Sequence, residues 1–323
     1  MNRTLALAFG LLLLLGCNQP SALRLQTEVS DVTEVLAQAE RIPNSTGWFE
    51  IVKLPNSVYA LWEPGHTEKV NSFFIIGADV DLLYDTGMGI ASIRTAIDDL
   101  RAHENLPARP IRVINSHAHL DHHGGNAEFD EVWAVDEPWA RRRLSSGVPA
   151  GEAGGFVGYW SALADHPGVS APATFDPTDH GIPPYPIDNV RFLDEAERID
   201  LGDRHFVVIR TFSHSPDGIA LYDPVNKIFF GGDTFYGPEY LVTDMGLLAE
   251  DLKRIEQLQI DWHYASHGGQ LITAMQQGEH LAAVRRMLDG DGEVGTTTFA
   301  GFEIPVRELD GVAVLVAPEL LLY

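Results

Sequence analysis

The sequence predicts an α/β fold, and three observations carry that expectation. Short β-like runs recur along the chain, interleaved with helical stretches whose apolar residues fall at helical spacing. Hydrophobic residues make up 45% of the 323 positions, which supports a sizeable core and excludes a disordered chain. Several apolar runs also stop abruptly at histidine or aspartate, most densely at His117-Ala118-His119-Leu120-Asp121-His122-His123. A strand ending in such a cluster throws its polar side chains into the loop at its carboxyl end. Periodicity alone gives mixed α/β and nothing finer.

Taken in order, Met1-Asn2-Arg3-Thr4 is a short positive lead before an apolar run over 5–15. That run is too short for a comfortable membrane span and has the length of a signal-peptide core. It closes on Leu14-Leu15-Gly16-Cys17, which resembles the processing box of bacterial lipoproteins. Cys17 is the only cysteine, so the chain forms no internal disulfide and no site built from several thiolates. The resemblance implies a signal peptide over 1–17, a lipid anchor at Cys17 and a polar tether over 18–30. It also implies export to face the periplasm, and Asn18 favours the outer membrane. Residues 31–323 are then expected to form one domain with an insertion around 145–186.

A helix is expected over 31–40, where Val32, Val35, Leu36 and Ala39 share a face, and Pro43-Asn44 breaks it. β-like runs follow at 48–54, 58–62, 70–76 and 80–84, with turns at Asn56-Ser57 and Gly77-Ala78-Asp79. The meander ends at the corner Asp85-Thr86-Gly87-Met88-Gly89, which opens a helix over 90–101. A strand at 111–115 carries the histidine cluster, another follows at 132–135, and a helix around Trp139 includes Arg141-Arg142-Arg143. Consecutive helical residues point in different directions, so the three arginines are expected on a solvated face rather than gripping one anion. Over 145–186 glycine and proline dominate, with Phe156, Tyr159, Trp160, Phe175 and Tyr185 among them. Such a stretch either lines a pocket as a lid or packs on the outer helices. His166 and His180 match no ligand spacing and are expected at the surface. Strands at 206–209, 219–222, 228–230 and 262–265, helices at 245–257 and 274–288, and β-like runs over 296–316 complete the alternation.

The formal net charge is −24, from 46 acidic and 22 basic residues. Such a surface repels phosphate backbones and argues against a nucleic-acid partner. The chemistry resides in the His117–His123 cluster, since neutral imidazoles with a carboxylate suit a borderline metal, above all zinc. In extended or turning backbone His117 and His119 fall on one side and can share an ion, while Asp121 and His122 turn toward a second position. Gly124-Gly125 then lets the chain turn tightly.

The order H-x-H-x-D-H resembles the signature of the metallo-β-lactamase-fold hydrolases, and the other members of that signature follow in sequence. They are His214 in Ser213-His214-Ser215-Pro216-Asp217-Gly218, Asp233 in Gly231-Gly232-Asp233-Thr234, and His267 in Ser266-His267-Gly268-Gly269. The resemblance runs from about residue 48 to 288. It implies a four-layered αββα sandwich and two zinc ions. One would be held by His117, His119 and His214, the other by Asp121, His122 and His267, with Asp233 bridging. It further implies hydrolysis of an ester, lactone, thioester or β-lactam, with a lactonase or β-lactamase-like activity foremost, by hydroxide held between the ions, with Asp121 orienting it. Asp85 is implied to buttress the metal loop from behind, and His123 lies outside the pattern. Asp233 in place of a cysteine separates the chain from one subgroup of β-lactamases and matches the glyoxalase II and lactonase branches. Tyr236 stands where acyl-homoserine-lactone lactonases carry a tyrosine that hydrogen-bonds the substrate carbonyl; a structural tyrosine is the other reading. The competing class is a non-hydrolytic metal protein, either an iron-dependent sulfur dioxygenase or a metal-binding lipoprotein. A glutathione-thioester hydrolase would want a basic tail, and Glu303, Glu308, Asp310 and Glu319 make this one acidic.

Overall fold

The computed structural model describes residues 32–150, 163–299 and 302–317. The expected signal peptide, Cys17, the tether and the aromatics Phe156, Tyr159 and Trp160 lie outside the described residues. A short helix, α1 (Val32–Gln38), precedes an eight-stranded sheet whose spatial order follows the sequence. Its strands are β1 (Arg41–Ile42), β2 (Glu50–Leu54), β3 (Val58–Trp62), β4 (Asn71–Ile75), β5 (Asp81–Tyr84), β6 (Ile111–Ile114), β7 (Val132–Val135) and β8 (Val190–Leu193). The first five pair antiparallel through short turns; β5 to β8 run parallel, which demands crossovers. Helix α2 (Ile93–His103) supplies the first crossover, α3 (Leu120–His123) lies in the second, and α4 (Pro138–Ser146) lies in the third.

A second sheet holds β9 (Arg198–Asp200), β10 (His205–Arg210), β11 (Ile219–Asp223), β12 (Ile228–Phe230), β14 (Trp262–Tyr264) and β15 (Ile272–Thr273). The helix α5 (Met245–Ile255) crosses between the parallel strands β12 and β14, and α6 (Ala274–Leu288) follows β15. The two sheets bury one shared apolar layer, including Phe73, Tyr84, Phe206, Leu221, Phe230 and Tyr264. Phe73 meets Phe230 and Tyr264 edge to face at 5.2 and 5.7 Å, so aromatic rings tie sheet to sheet. The first sheet's outer face is covered by Ile93, Ile97 and Leu100 of α2, and the second's by Leu248 and Leu252 of α5 with Val284 and Met287 of α6. Those layers are the expected helix, sheet, sheet, helix order. β4 is buried along its whole length, which explains why it reads as continuously apolar at Phe73, Phe74 and Ile75.

A third, four-stranded sheet was not anticipated. Strand β13 (Glu239–Val242) pairs parallel with β18 (Val312–Val316), and β17 (Phe302–Leu309) and β16 (Glu293–Phe299) complete it. The runs over 296–316 were legible as strands, but their partner lies some seventy residues upstream in β13, and periodicity does not announce a partner.

Other boundaries and placements are corrected. Helix α2 starts at Ile93 rather than 90, because the Ser92 hydroxyl caps Thr95 N at 3.0 Å and Glu128 accepts from Ile93 N and Arg94 N. In the insertion, the described part packs on the outer layer: Val148 and Ile182 exchange backbone bonds of 2.8 and 2.7 Å, and the Tyr185 hydroxyl donates to Phe129 O. His166 and His180 are part-buried, not surface residues; His166 meets Trp62 edge-on and His180 Nε2 lies 3.3 Å from Met88 O. Of the arginine triplet, Arg142 is exposed, Arg141 lies over Phe192 with its guanidinium paired to exposed Asp136, and Arg143 lies over Trp139. Among the described residues no helix is long and apolar enough to cross a membrane.

Candidate metal centre

Each loop of the centre leaves the carboxyl end of a strand: β6, β10, β12 or β14. Both β10 and β12 pair antiparallel with β11, and β14 pairs parallel with β12, so the last three loops emerge at one sheet edge. The first loop divides its own side chains. His119 keeps extended backbone (φ −74°, ψ 152°), whereas the next four residues form the single turn α3. The change of backbone after His119 therefore sends His117 and His119 one way and Asp121 and His122 another. Close packing holds it: a Cβ on Gly124 would lie 2.4 Å from Met88 C, so only glycine lets this loop touch the 85–89 corner.

The structure gathers all seven expected ligands into two groups. In the first, His119 Nδ1 lies 2.8 Å from His117 Nε2 and 3.0 Å from His214 Nε2. In the second, Asp121 Oδ2 lies 3.4 Å from both His122 Nε2 and His267 Nε2. Asp233 Oδ2 stands between them, 3.3 and 3.0 Å from those two nitrogens and 3.5 and 3.9 Å from His214 and His117. His122 Nε2 and Asp233 Oδ1 are buried with no hydrogen-bond partner, a cost that a cation would remove. Nitrogen donors crowded against carboxylates, two of these atoms without a hydrogen-bond partner, fit divalent zinc or a similar borderline ion.

The opposite ring nitrogens are held from behind. Asp85 Oδ2 lies 2.9 Å from His122 Nδ1, Ser116 Oγ 2.9 Å from His117 Nδ1, Leu241 O 2.8 Å from His214 Nδ1, and Glu68 O 2.8 Å from His267 Nδ1. Acceptors there place the proton on Nδ1 and leave the Nε2 lone pair aimed inward. Asp85 thus stands behind an expected ligand and lies outside both groups. Two carboxylates that the sequence reading passed over hold the loops themselves. Asp217 accepts from Ala118 N at 2.8 Å and from the Ser215 hydroxyl, and burial pushes its pKa up to about 6. Asp251 of α5 accepts from Phe212 N and Ser213 N at 2.8 and 2.7 Å. A signal existed: Asp251 interrupts the apolar stripe of Leu248, Leu252 and Ile255.

The two groups differ electrostatically. Burial, then the neighbouring imidazoles His122 and His119, holds His117 well below its ordinary pKa, and burial lowers His214. Burial opposes charge on His267 too, but Asp233 and Asp121 outweigh it and raise its pKa to about 10. His122 follows the same pattern, its burial outweighed by Asp121, Asp233 and Asp85. In return the imidazoles hold Asp121 and Asp233 below the ordinary carboxylate range despite their burial.

His123 is buried but belongs to neither group; burial and then Arg143 lower its pKa to about 3. Tyr236 is half-buried at the rim, its ring 5.4 Å from that of His267. Burial and the Asp233 charge push its hydroxyl pKa well above the ordinary value, so it stays a donor. Glu40, His103 and Glu104 also cluster, but at the surface, where Lys53 already pairs with both carboxylates at 3.6 and 2.5 Å.

The sequence matches the family described as the metallo-beta-lactamase superfamily over residues 67–291. The acyl-coenzyme A thioesterase MBLAC2 of Gallus gallus is 30% identical over 197 residues, 58% of this chain and 66% of that protein. The protein of the same name from Homo sapiens is 26% identical over 201 residues, 58% and 67%. The match thus spans about two thirds of these relatives' length. Among solved structures, the stereoselective inverting sec-alkylsulfatase Pisa1 from Pseudomonas sp. gives a TM-score of 0.55 at 17% identity, over 74% of this chain and 41% of that one. A beta-lactamase domain protein from Burkholderia ambifaria gives 0.55 at 19%, over 78% and 81%. At such identities the likeness to solved structures is one of fold.

Proposed function

The chain belongs to the metallo-β-lactamase superfamily, and we propose that it is a binuclear, zinc-dependent hydrolase of carbonyl substrates, thioesters first. The observation that carries this reading is Asp233, one of whose oxygens lies between 3.0 and 3.9 Å from nitrogens of both ligand groups. His117, His119 and His214 would hold one ion, Asp121, His122 and His267 the other, with Asp233 shared. Two such ions supply Lewis acidity and bring the pKa of water toward neutrality.

The chain's own residues set what can follow. Asp121 Oδ2 lies beside His122 and His267 and accepts a hydrogen bond from whatever proton-bearing group occupies the centre. Tyr236 offers its hydroxyl proton from the rim, where a carbonyl oxygen gains negative charge. Carboxylates held against divalent cations stay ionised, so neither Asp121 nor Asp233 would be a proton source near neutrality once the centre is loaded. A leaving group that departs unaided therefore suits the site. A thiol, with a pKa of about 8.5, does so far better than an amine. The resemblance to acyl-coenzyme A thioesterases points the same way. Lactones, aryl esters and β-lactams present the same carbonyl and form the comparison set.

The test is a panel of acyl thioesters, lactones, aryl esters and β-lactams on zinc-loaded protein, with Asp233→Ala as control. Turnover of thioesters, lost in that variant, is expected. Wild-type protein that holds two ions and turns over none of the panel would defeat the hydrolase reading. We further propose that the chain is exported and lipid-anchored through Cys17 to the outer membrane. Cys17→Ser should then release the protein from the membrane fraction; unchanged membrane attachment would refute the anchor.

A further inference from the structure

Glu63 follows β3 and is completely buried, yet it belongs to neither ligand group. Both its oxygens accept. Trp48 Nε1 donates to Oε2 at 2.5 Å and Met88 N to Oε1 at 2.9 Å. The 85–89 corner is wrapped around this carboxylate. A Cβ on Gly87 would fall 1.9 Å from Glu63 Oε1, and Gly87 has a φ of +70°, so glycine is required twice over. The same corner carries Asp85, itself at a φ of +66°, a conformation that a non-glycine residue keeps only when its surroundings hold it. From there the contacts run straight into the metal loop. Thr86 N donates to His122 O at 2.9 Å, Gly124 N to Gly87 O at 2.8 Å, and Ser116 N to Asp85 Oδ1 at 2.6 Å. Asp85 Oδ2 meets His122 Nδ1 at 2.9 Å.

We propose that Glu63 is a positioning residue for the second ligand group, clamping the 85–89 corner against Trp48 so that Asp85 keeps His122 in its ligating orientation. The inference rests on the binuclear reading above. It requires a carboxylate, because both oxygens face N–H donors. An amide would turn its own NH2 toward one of them and open that side of the clamp. Burying a carboxylate against an apolar layer is costly, and burial raises its pKa to about 7.

The test compares wild type, Glu63→Gln, Asp85→Asn and the double variant, all purified with zinc and challenged with graded chelator. Metal content, the visible spectrum after cobalt substitution and melting temperature are followed. Glu63→Gln should retain the first ion and release the second at roughly ten- to a hundredfold lower chelator, the usual scale for a group supporting a metal ligand. Because the effect passes through Asp85, the double variant should be no worse than Asp85→Asn alone. Trp48→Phe, which removes one donor and keeps an aromatic ring, should shift the second ion in the same direction by less, and decides the matter if Glu63→Gln does not fold. Wild-type chelator resistance in the soluble variants, or additive losses in the double variant, overturns the proposal. Fewer than two ions in wild type defeats the binuclear reading and this inference together, and is read before any variant is compared.

Discussion

His267 and His122 carry the sharpest consequence at the scale of single residues. In the metal-free chain their pKa values are raised, that of His267 to about 10, so both are protonated near neutrality. A divalent ion needs their nitrogens free, so binding must expel protons, and affinity should rise with pH until His267 deprotonates near 10. The sign for stability is opposite. A raised histidine pKa stabilises the metal-free fold fully below the unfolded value of 6.5, and that contribution fades as pH rises through about 10. Calorimetric titration of zinc at pH 7 in two buffers of different ionisation enthalpy should show proton release; identical heats would contradict it. Tyr236→Phe tests the rim: turnover of the best substrate should drop roughly ten- to a hundredfold, one charge-assisted hydrogen bond, with little change in metal content. Wild-type activity would make the tyrosine structural. The His117–His122 cluster was legible in the sequence because imidazoles and a carboxylate at such close fixed spacing are rare, while His214, Asp233 and His267 were reached only through the resemblance to a known signature. Their supports at Leu241 and Glu68 were not, since those contacts use backbone carbonyls, which every residue has.

Elements show the same division. Strands β7 and β12 fall where periodicity placed them because each is a short, wholly apolar run, and helix α6 does so with Ala283, Val284 and Met287 on its buried face. The start of α2 was missed because its cap depends on Glu128, far along the chain. Helix α5 was legible as a helix but not as the support of the His214 loop. Asp251→Ala should strand two backbone N–H groups, costing roughly 2–4 kcal/mol. That predicts a fall in melting temperature of about 5–10 °C. Release of the ion from the His117, His119 and His214 group at lower chelator should accompany it. A variant that melts lower but retains that ion as tightly as wild type would show that the loop keeps its geometry unaided.

For the whole molecule, charge governs approach. A net charge of −24 repels the phosphates of a coenzyme A thioester while leaving an uncharged thioester unaffected. Raising ionic strength should therefore increase kcat/KM for the former and leave a short neutral thioester with the same acyl group nearly flat. Equal salt profiles would show that the substrate entrance is shielded from the global charge. At this scale the pattern showed mixed α/β, and the two-sheet core came through the family resemblance; neither reached the third sheet, because β13 and β18 are neighbours only in space.

That pairing also ties the tail of the chain to the centre. Leu241 sits in β13 and steadies His214, and among the described residues β13 has β18 at 312–316 as its sheet partner. A chain cut between His267 and β18 would keep all seven expected ligands and lose the strand beside Leu241, so in the proposed metalloprotein it should hold its ions more weakly than the full chain.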